Sequence, residues 1–430
     1  MNVDSLIKES VKINKILREK YTDKFCKDVT LPCKPFGGSP RESIGPWPEI
    51  IYKGYRCPRS EQGLCTPCGY SNIERVPDNR NIVNKLLLFQ TKYILTFFDE
   101  IILKNQRRKH PYPAFRREFP DGRDVMMALS TTGSFFSDYE LEQRVRVKIL
   151  EMILSYVRKR KINIQIFFES HPLDVITCYE KNEFDHILPI LRELNAVIIM
   201  GLESINDFHR NVLYCKNLQI NDFEKAVEIA KNKLKLSTGA FVFVGFHSLN
   251  EYETLIDVKR TLSYLKEKEV MPVIMVSNLK PYTMTDLLYQ QGHYNLPDPR
   301  TILSVVELLK EFAPNMIFTE DWLFADPVGG PPEPRLHPFN NPRKITCDRC
   351  SKIIEKAICG NYEIRKPNGL RETYDWVNFE EKIEPIHKCD CETKYKAYID
   401  ELKNDKTSLI TRVLNNITIA KKAINSYVVM

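Results

Sequence analysis

Between Val125 and Ser277 the chain alternates short apolar runs with segments of helical period, and that alternation limits the fold more than any other feature. The apolar runs are Val125–Ser130, Ile162–Glu169, Ala196–Leu202, Leu236–Val244 and Pro272–Ser277. Between them lie the helix-period stretches Glu140–Arg158, Phe184–Leu194, Asp222–Lys233 and Glu251–Glu267. Strands and helices taking turns at this spacing make βαβ units, and such units build a parallel sheet. Five or six units predict an α/β fold: a partial (βα)6 TIM-like barrel. In barrels of that kind the chemistry sits at the C-terminal ends of the strands.

Polar residues fall at those ends. VMMALS runs into Thr131-Thr132-Gly133-Ser134, and IQIFF into Glu169-Ser170-His171-Pro172. AVIIM runs into Gly201-Leu202-Glu203-Ser204, and GAFVFV into Gly245-Phe246-His247. Each alone is ordinary turn chemistry. Four in phase would gather hydroxyl and ionisable groups around one mouth.

Ahead of the alternation, Cys57, Cys65 and Cys68 share one loop with the spacing C-x7-C-x2-C, followed by Tyr70. Three thiolates can ligate three irons of a [4Fe–4S] cluster and leave the fourth iron open to a small molecule. Zinc normally takes four ligands, and no fourth Cys or His lies in this stretch. Gly54, Pro58, Gly63, Pro67 and Gly69 let the backbone wrap closely. The plainer alternatives are three free thiols, or half of a zinc knuckle.

The chain has 430 residues, 43% hydrophobic and 28% charged, which is enough to build a large core in two or three domains. No apolar run reaches the roughly 18 residues of a membrane span. The N-terminal segment is charged throughout, unlike a signal peptide, and Leu6, Val11, Ile13, Ile16 and Leu17 suit an amphipathic helix. Twelve cysteines without a secretion signal point to a reducing, cytoplasmic setting and to metal ligation rather than disulfides. The net charge is +7. Basic runs occur at Arg107-Arg108-Lys109-His110, Arg116-Arg117 and Arg158-Lys159-Arg160-Lys161. The first two interleave with Tyr112 and Phe115, a mixture suited to a nucleic-acid backbone and its bases, although solvated helix ends produce such runs too.

The predicted domains are an N-terminal extension, 1–50, a core, 51–324, a Pro-rich linker, 325–344, and a small Cys-rich domain with a helical tail, 345–430. The last contains Cys347-x2-Cys350 and, after 38 intervening residues, Cys389-x-Cys391. Two close pairs suit a tetrahedral zinc site. Cys359 or His387 could replace one member, and a second iron–sulfur cluster or free thiols remain open.

Four stretches together resemble a known family. C-x7-C-x2-C-G-Y at Cys57–Tyr70, STTGSFFSD at Ser130–Asp138, ESHP at Glu169–Pro172 and GLESIND at Gly201–Asp207 look like the radical S-adenosylmethionine (SAM) enzymes. More narrowly, they resemble the branch related to the Elongator catalytic subunit, and in it the archaeosine-synthesis proteins. The resemblance spans roughly residues 50–395. It departs from the family at His171, where Arg is expected, and at Val244–Glu251, which replaces a K-P-P-F-L-T-E type segment. Both departures lie at strand ends, where substrates bind.

The resemblance implies a [4Fe–4S] cluster on Cys57, Cys65 and Cys68 that chelates SAM and cleaves it reductively, commonly to a 5′-deoxyadenosyl radical. It implies cofactor contacts from Tyr70 to adenine, from Gly133 and Ser134 to the methionyl part, and from Glu169 and Glu203 to ribose hydroxyls or the SAM ammonium. His171 and His247 would face substrate. Its partners would be tRNA, a ferredoxin- or flavodoxin-like electron donor and a lysine-transferring tRNA-modification protein. The other substrate class is a small molecule, with transfer of a 3-amino-3-carboxypropyl group as in arsinothricin-type enzymes.

Overall fold

A computed structural model describes residues 2–25, 49–52, 54–55, 57–68, 79–107, 125–131, 133–312, 336–358, 363–365, 371–373 and 389–427. Helix α1 (Val3–Phe25) is followed by β1 (Glu49–Ile51), the short α2 (Pro58–Glu61) and the long α3 (Arg80–Arg107). Then come β2 (Val125–Ser130), α4 (Gln143–Arg160), β3 (Ile164–Ser170), α5 (Pro172–Glu180), α6 (Phe184–Glu193) and β4 (Val197–Glu203). The core continues through α7 (Ile220–Glu228), β5 (Ser237–Val244), α8 (Glu251–Glu267), β6 (Met271–Val276), α9 (Met284–Gln290) and α10 (Pro299–Phe312).

The six strands form one sheet in sequential order, and every neighbouring pair is parallel. A chain of crossover units gives this order, because each helix returns the chain to the same end of the sheet. The sheet is open, with β1 and β6 as its edges. The five strands expected from the sequence are all present, Val125–Ser130 with the same bounds and the others shifted at one or both ends by a residue or two. Edge strand β1 falls in the segment expected to be extension; three residues are too few to display a period.

Period-two packing places alternate residues on opposite faces. Ile198, Met200 and Leu202 of β4 enter the main core, with Ala240, Val242 and Val244 of β5. Val197 and Ile199 face the other way, where Ala128, Phe167, Phe241 and Val273 meet them. A separate core gathers the two ends of the chain. Leu6, Ile13 and Leu17 of α1 pack with Val413, Ile417 and Ala420 of the C-terminal helix Leu409–Ala423, over Phe243, Phe246 and α9. Lys20 Nζ donates to Ile424 O at 2.6 Å, and Lys421 pairs with Glu9 at 2.7 Å.

The loop after β2 is held by Arg146 of α4, which is fully buried. It donates to Phe135 O at 3.1 Å and Leu141 O at 3.0 Å, and pairs with Glu183 at 2.9 Å and Asp138 at 3.0 Å. Arg146→Met should cost about 3–5 kcal/mol in a denaturant melt, because it leaves the buried Glu183 carboxylate, among the described residues, with only the longer ion pair to the exposed Lys181, at 3.9 Å. A loss below about 1 kcal/mol would show that the network relaxes around the vacancy.

Proline-rich 26–48 and 313–335, which includes residues 325–335 of the expected linker, lie outside the described residues, as do Tyr70, Cys359, His387 and the basic stretch 108–117. The third basic run is the end of α4, where Arg158 bonds Glu193 at 2.6 Å and 2.7 Å on the surface. Positive charge at a helix C-terminus is favoured by the dipole, which accounts for that run without a ligand.

Candidate active site and metal centre

Parallel strands in sequential order put every C-terminal strand end on one edge of the sheet, and the cysteine loop packs onto that edge. Cys57 precedes α2, with Pro58 at its first position, and Glu61 N donates to Cys57 O at 3.1 Å. Gly63 turns the chain at φ +87°, and Cys65 itself sits at φ +60°. The loop then zips to the segment beyond β4: Cys65 N donates to Cys215 O at 3.2 Å, Thr66 N to Tyr214 O at 2.9 Å and Thr66 Oγ1 to Leu213 O at 2.7 Å. That segment leaves a turn of π-helix, His209–Leu213, in which Tyr214 N bonds His209 O at 3.0 Å. Such turns recur at functional sites, where they displace the following residues from the helical path. Here those residues are Tyr214, Cys215 and Lys216.

Gly133 touches Cys57. A Cβ on Gly133 would overlap Cys57 Sγ and lie 2.7 Å from Cys57 Cβ and 2.8 Å from Glu140 Oε1. Its neighbour Ser134 is buried, and its Oγ is shared between Ser170 Oγ at 2.7 Å and His171 N at 3.1 Å. Phe135 N donates to Glu169 O at 2.9 Å. The STTGSF and ESHP segments are thus stitched into one surface beside the cysteines.

His171 caps α5: its Nδ1 accepts from Leu173 N at 3.2 Å. A ring nitrogen that accepts leaves the other to carry the proton. His171 Nε2 is buried and has no hydrogen-bond partner among the described residues. Burial, then the charges of Arg59 and Lys216, hold its pKa well below the usual histidine value. Arg59 is in turn clamped by Asp174 at 2.9 Å and 3.0 Å.

Glu203 sits at a bulge in β4 at φ +67°, 2% exposed, and pairs with Lys216 at 2.7 Å. Its Oε2 has no partner among the described residues. Burial pulls the Lys216 pKa down, but the Glu203 carboxylate and Cys65 more than offset this and leave it above the ordinary lysine value. A Cβ on Gly201 would overlap Lys216 Nζ and stand 2.7 Å from Glu203 Oε1. Glycine is the residue that lets this ion pair lie flat on the strand.

His247 is buried beyond β5, its Nδ1 3.1 Å from Ser248 Oγ, which also accepts from Asn416 Nδ2 at 2.7 Å. Burial brings its pKa down to about 4. A lowered folded-state value means that stability is complete above the unfolded pKa and declines as the pH falls from about 6.5 towards 4. Replacing His247 by Asn should therefore flatten the melting temperature over that range, removing at most about 3 kcal/mol of pH dependence. Parallel pH profiles for parent and variant would refute the assignment.

Arg18 was not foreseen at the site. It lies on α1 in a buried polar line with Ser10 and Asn14, four residues apart. It donates to Ser60 O, to Leu64 O at 2.6 Å and to Cys65 O at 3.0 Å, while Asn14 Nδ2 donates to Gly63 O at 3.1 Å. Polar residues at four-residue spacing within an apolar helix stripe were the available signal.

Burial pushes the Cys57 thiol far above its ordinary pKa, with Glu140 adding to it, and pushes Cys65 up to about 11. Metal taken up here must displace protons. The sulfurs of Cys347, Cys350, Cys389 and Cys391 all lie within 4.8 Å of one another. A single ion needs such a close set; a cluster takes one thiolate per iron. Three cysteines on one loop and the close approach of Gly133 to Cys57 fit a cluster.

The C-terminal quartet forms at two helix starts, Asp348–Ile358 and Cys391–Asn404. Cys350 and Cys389 sulfurs are 3.3 Å apart, and Cys347 N donates to Cys391 Sγ at 3.2 Å. Asp298 anchors the group to the core through Ile345 N at 2.7 Å and Thr346 N at 2.9 Å.

No family model matches the chain. It is similar to archaeosine synthase subunit beta of Methanosarcina acetivorans, 24% identical over 309 residues, which is 72% of this chain and 76% of that one. An uncharacterized protein of Methanocaldococcus jannaschii is 21% identical over 367 residues, 84% of each chain. Among solved structures, the Elp3 of Methanocaldococcus infernus lacking its N-terminus aligns with a TM-score of 0.35 and 15% identity, over 54% of this chain and 50% of that one. Coproporphyrinogen III oxidase of Escherichia coli, a radical SAM enzyme, aligns with a TM-score of 0.33 and 13% identity, over 63% of this chain and 52% of that one. The chain thus spans about half the length of these two structures. The likeness read from the motifs recurs in the curated relative, an archaeosine synthase subunit matched over most of both chains. Among the described residues, no helix is long and apolar enough to cross a membrane.

Proposed function

We propose that this protein is a radical SAM enzyme that holds a [4Fe–4S] cluster on Cys57, Cys65 and Cys68 and starts the radical modification of a nucleoside in tRNA, of the archaeosine type. One observation carries the enzymatic reading: the cysteine loop meets Gly133 through Cys57, beside strand ends whose His171 Nε2 and Glu203 Oε2 have no hydrogen-bond partner among the described residues. When bound, a cluster of this kind supplies the electron that cleaves SAM. The protein's own residues do the rest. The Gly133 backbone leaves room beside Cys57, and Ser134 fixes the turn that aims His171. Glu203, held by Lys216, offers one oxygen to a hydroxyl or ammonium, and His171 offers one N–H to an acceptor. Glu169 and Tyr70 are the further cofactor contacts of this reading.

The tRNA part rests on the curated relative's name and extent. A tRNA substrate, a ferredoxin- or flavodoxin-like electron donor and a lysine-transferring partner belong to this proposal. The division into extension, core, linker and Cys-rich domain belongs to the same proposal. A small-molecule substrate is the second reading. It is favoured by His171, which is buried and of lowered pKa where the archaeosine pattern carries an Arg, and by His247 in the departing segment Val244–Glu251, which is also buried and of lowered pKa.

Anaerobic incubation with SAM and a strong reductant tests the enzyme. 5′-Deoxyadenosine is expected, 5′-methylthioadenosine would indicate aminocarboxypropyl chemistry, and neither product would overturn the reading. Binding to bulk tRNA tests the substrate: affinity that falls steeply with salt and is lost on neutralising Arg107, Arg108, Arg116 and Arg117 supports tRNA. Absence of binding favours the small molecule.

We propose zinc for Cys347, Cys350, Cys389 and Cys391, since four converging thiols fill a tetrahedral shell and leave no open position. Replacing Cys389 and Cys391 by Ser should remove about one zinc per chain and loosen 345–358 in hydrogen exchange, with SAM cleavage retained. Equal zinc in parent and variant would refute the assignment.

A further inference from the structure

Among the described residues, Arg18 is a buried guanidinium whose hydrogen bonds go to neutral carbonyls. They are those of Ser60, Leu64 and Cys65, all in the cysteine loop. Carbonyls alone do not explain a charge there. On the same helix, neutral Asn14 holds the Gly63 carbonyl of the same loop. Burying a cation costs several kcal/mol unless an anion compensates it. The groups near enough to compensate Arg18 when ionised are sulfurs, those of Cys68, Cys65, Cys57 and Cys215. Three of these belong to the candidate cluster loop, and iron ligation makes them thiolates. The guanidinium and the three sulfurs then compensate each other.

We propose that Arg18 is the counter-ion of the cluster: a positioning residue that braces the loop through its carbonyls and, by its charge, raises the cluster's reduction potential. This rests on the cluster reading above. Net charge around an iron–sulfur cluster is one of the factors that set its potential. A fixed cation favours the reduced state, which is one charge more negative. It arrives on α1, outside the sheet, so the N-terminal helix takes part in the redox chemistry of the core.

The test compares the parent, Arg18→Gln and Arg18→Lys as full chains, reconstituted anaerobically. Iron and sulfide content, melting temperature and the midpoint potential from a spectroscopic redox titration are measured. Gln keeps hydrogen-bonding capacity without charge, and its midpoint should move to more negative potential. Lys keeps the charge but cannot span three carbonyls, and its midpoint should stay with the parent's. An unchanged midpoint in fully loaded Arg18→Gln overturns the proposal, as does a Lys variant that shifts as far as Gln. If Arg18→Gln folds but takes up no iron while Arg18→Lys loads fully, the charge is needed and the proposal stands. Equal failure of both variants to load overturns it, because bond geometry and not charge would then be decisive. A parent that binds no iron would refute the cluster itself, a separate result.

Discussion

Alanine at Cys57, Cys65 and Cys68 together is expected to abolish iron and sulfide binding at the loop, and with it SAM cleavage and the broad absorbance at about 400 nm of a thiolate-bound cluster. The fold should survive. The loop is held by Arg18, Asn14 and Thr66, none of which bonds a cysteine sulfur. Small-to-smaller changes at three sites should cost no more than about 1 kcal/mol each. The C-terminal quartet supplies the internal control, because its metal should remain in place. Equal iron and sulfide in parent and variant, both purified without oxygen, would sink the assignment.

Gly133→Ala should come close to the same loss by a different route. The added methyl group would overlap Cys57 Sγ and approach both Cys57 Cβ and Glu140 Oε1 within 3 Å. Cys57 is buried and the β2 loop is fixed by Arg146, so neither side yields easily. Overpacking of this kind costs about 1–3 kcal/mol, and relief comes from swinging the Cys57 sulfur away from its ligating direction. Iron content should fall several-fold while the far-ultraviolet spectrum stays native. Full loading with an unchanged spectrum would mean that the glycine has no part in shaping the site.

The strands of the core were legible because each is an apolar run ended by Gly, Ser or an ionisable residue. Helix α8, Glu251–Glu267, appears with its foreseen bounds because Asn250 and Glu253 form a reciprocal capping box. Helix α5 was missed: ESHP reads as a loop motif, yet His171 is the cap and Pro172 the first turn of a helix. Lys216 was missed for another reason. Its contact with Glu203 depends on a π-turn and a positive φ at Cys215, and no periodicity announces either. Cys57 and Gly133 were each singled out, but their contact joins residues from separate loops and appears only once the sheet is formed. Tyr70 lies outside the described residues, and Ser134, expected to face a ligand, spends its hydroxyl on Ser170 and His171.

The packing of α1 against the C-terminal helix has a consequence for synthesis. Lys20 and Ile424 are joined by a hydrogen bond across almost the whole chain, and Glu9 and Lys421 by an ion pair. The cysteine loop leaves the ribosome early, but the helix that braces it cannot be seated until residues 409–424 have followed. Contacts of such sequence separation form late, after the loop-closure entropy has been overcome. The brace on the cysteine loop is therefore completed only near the end of translation.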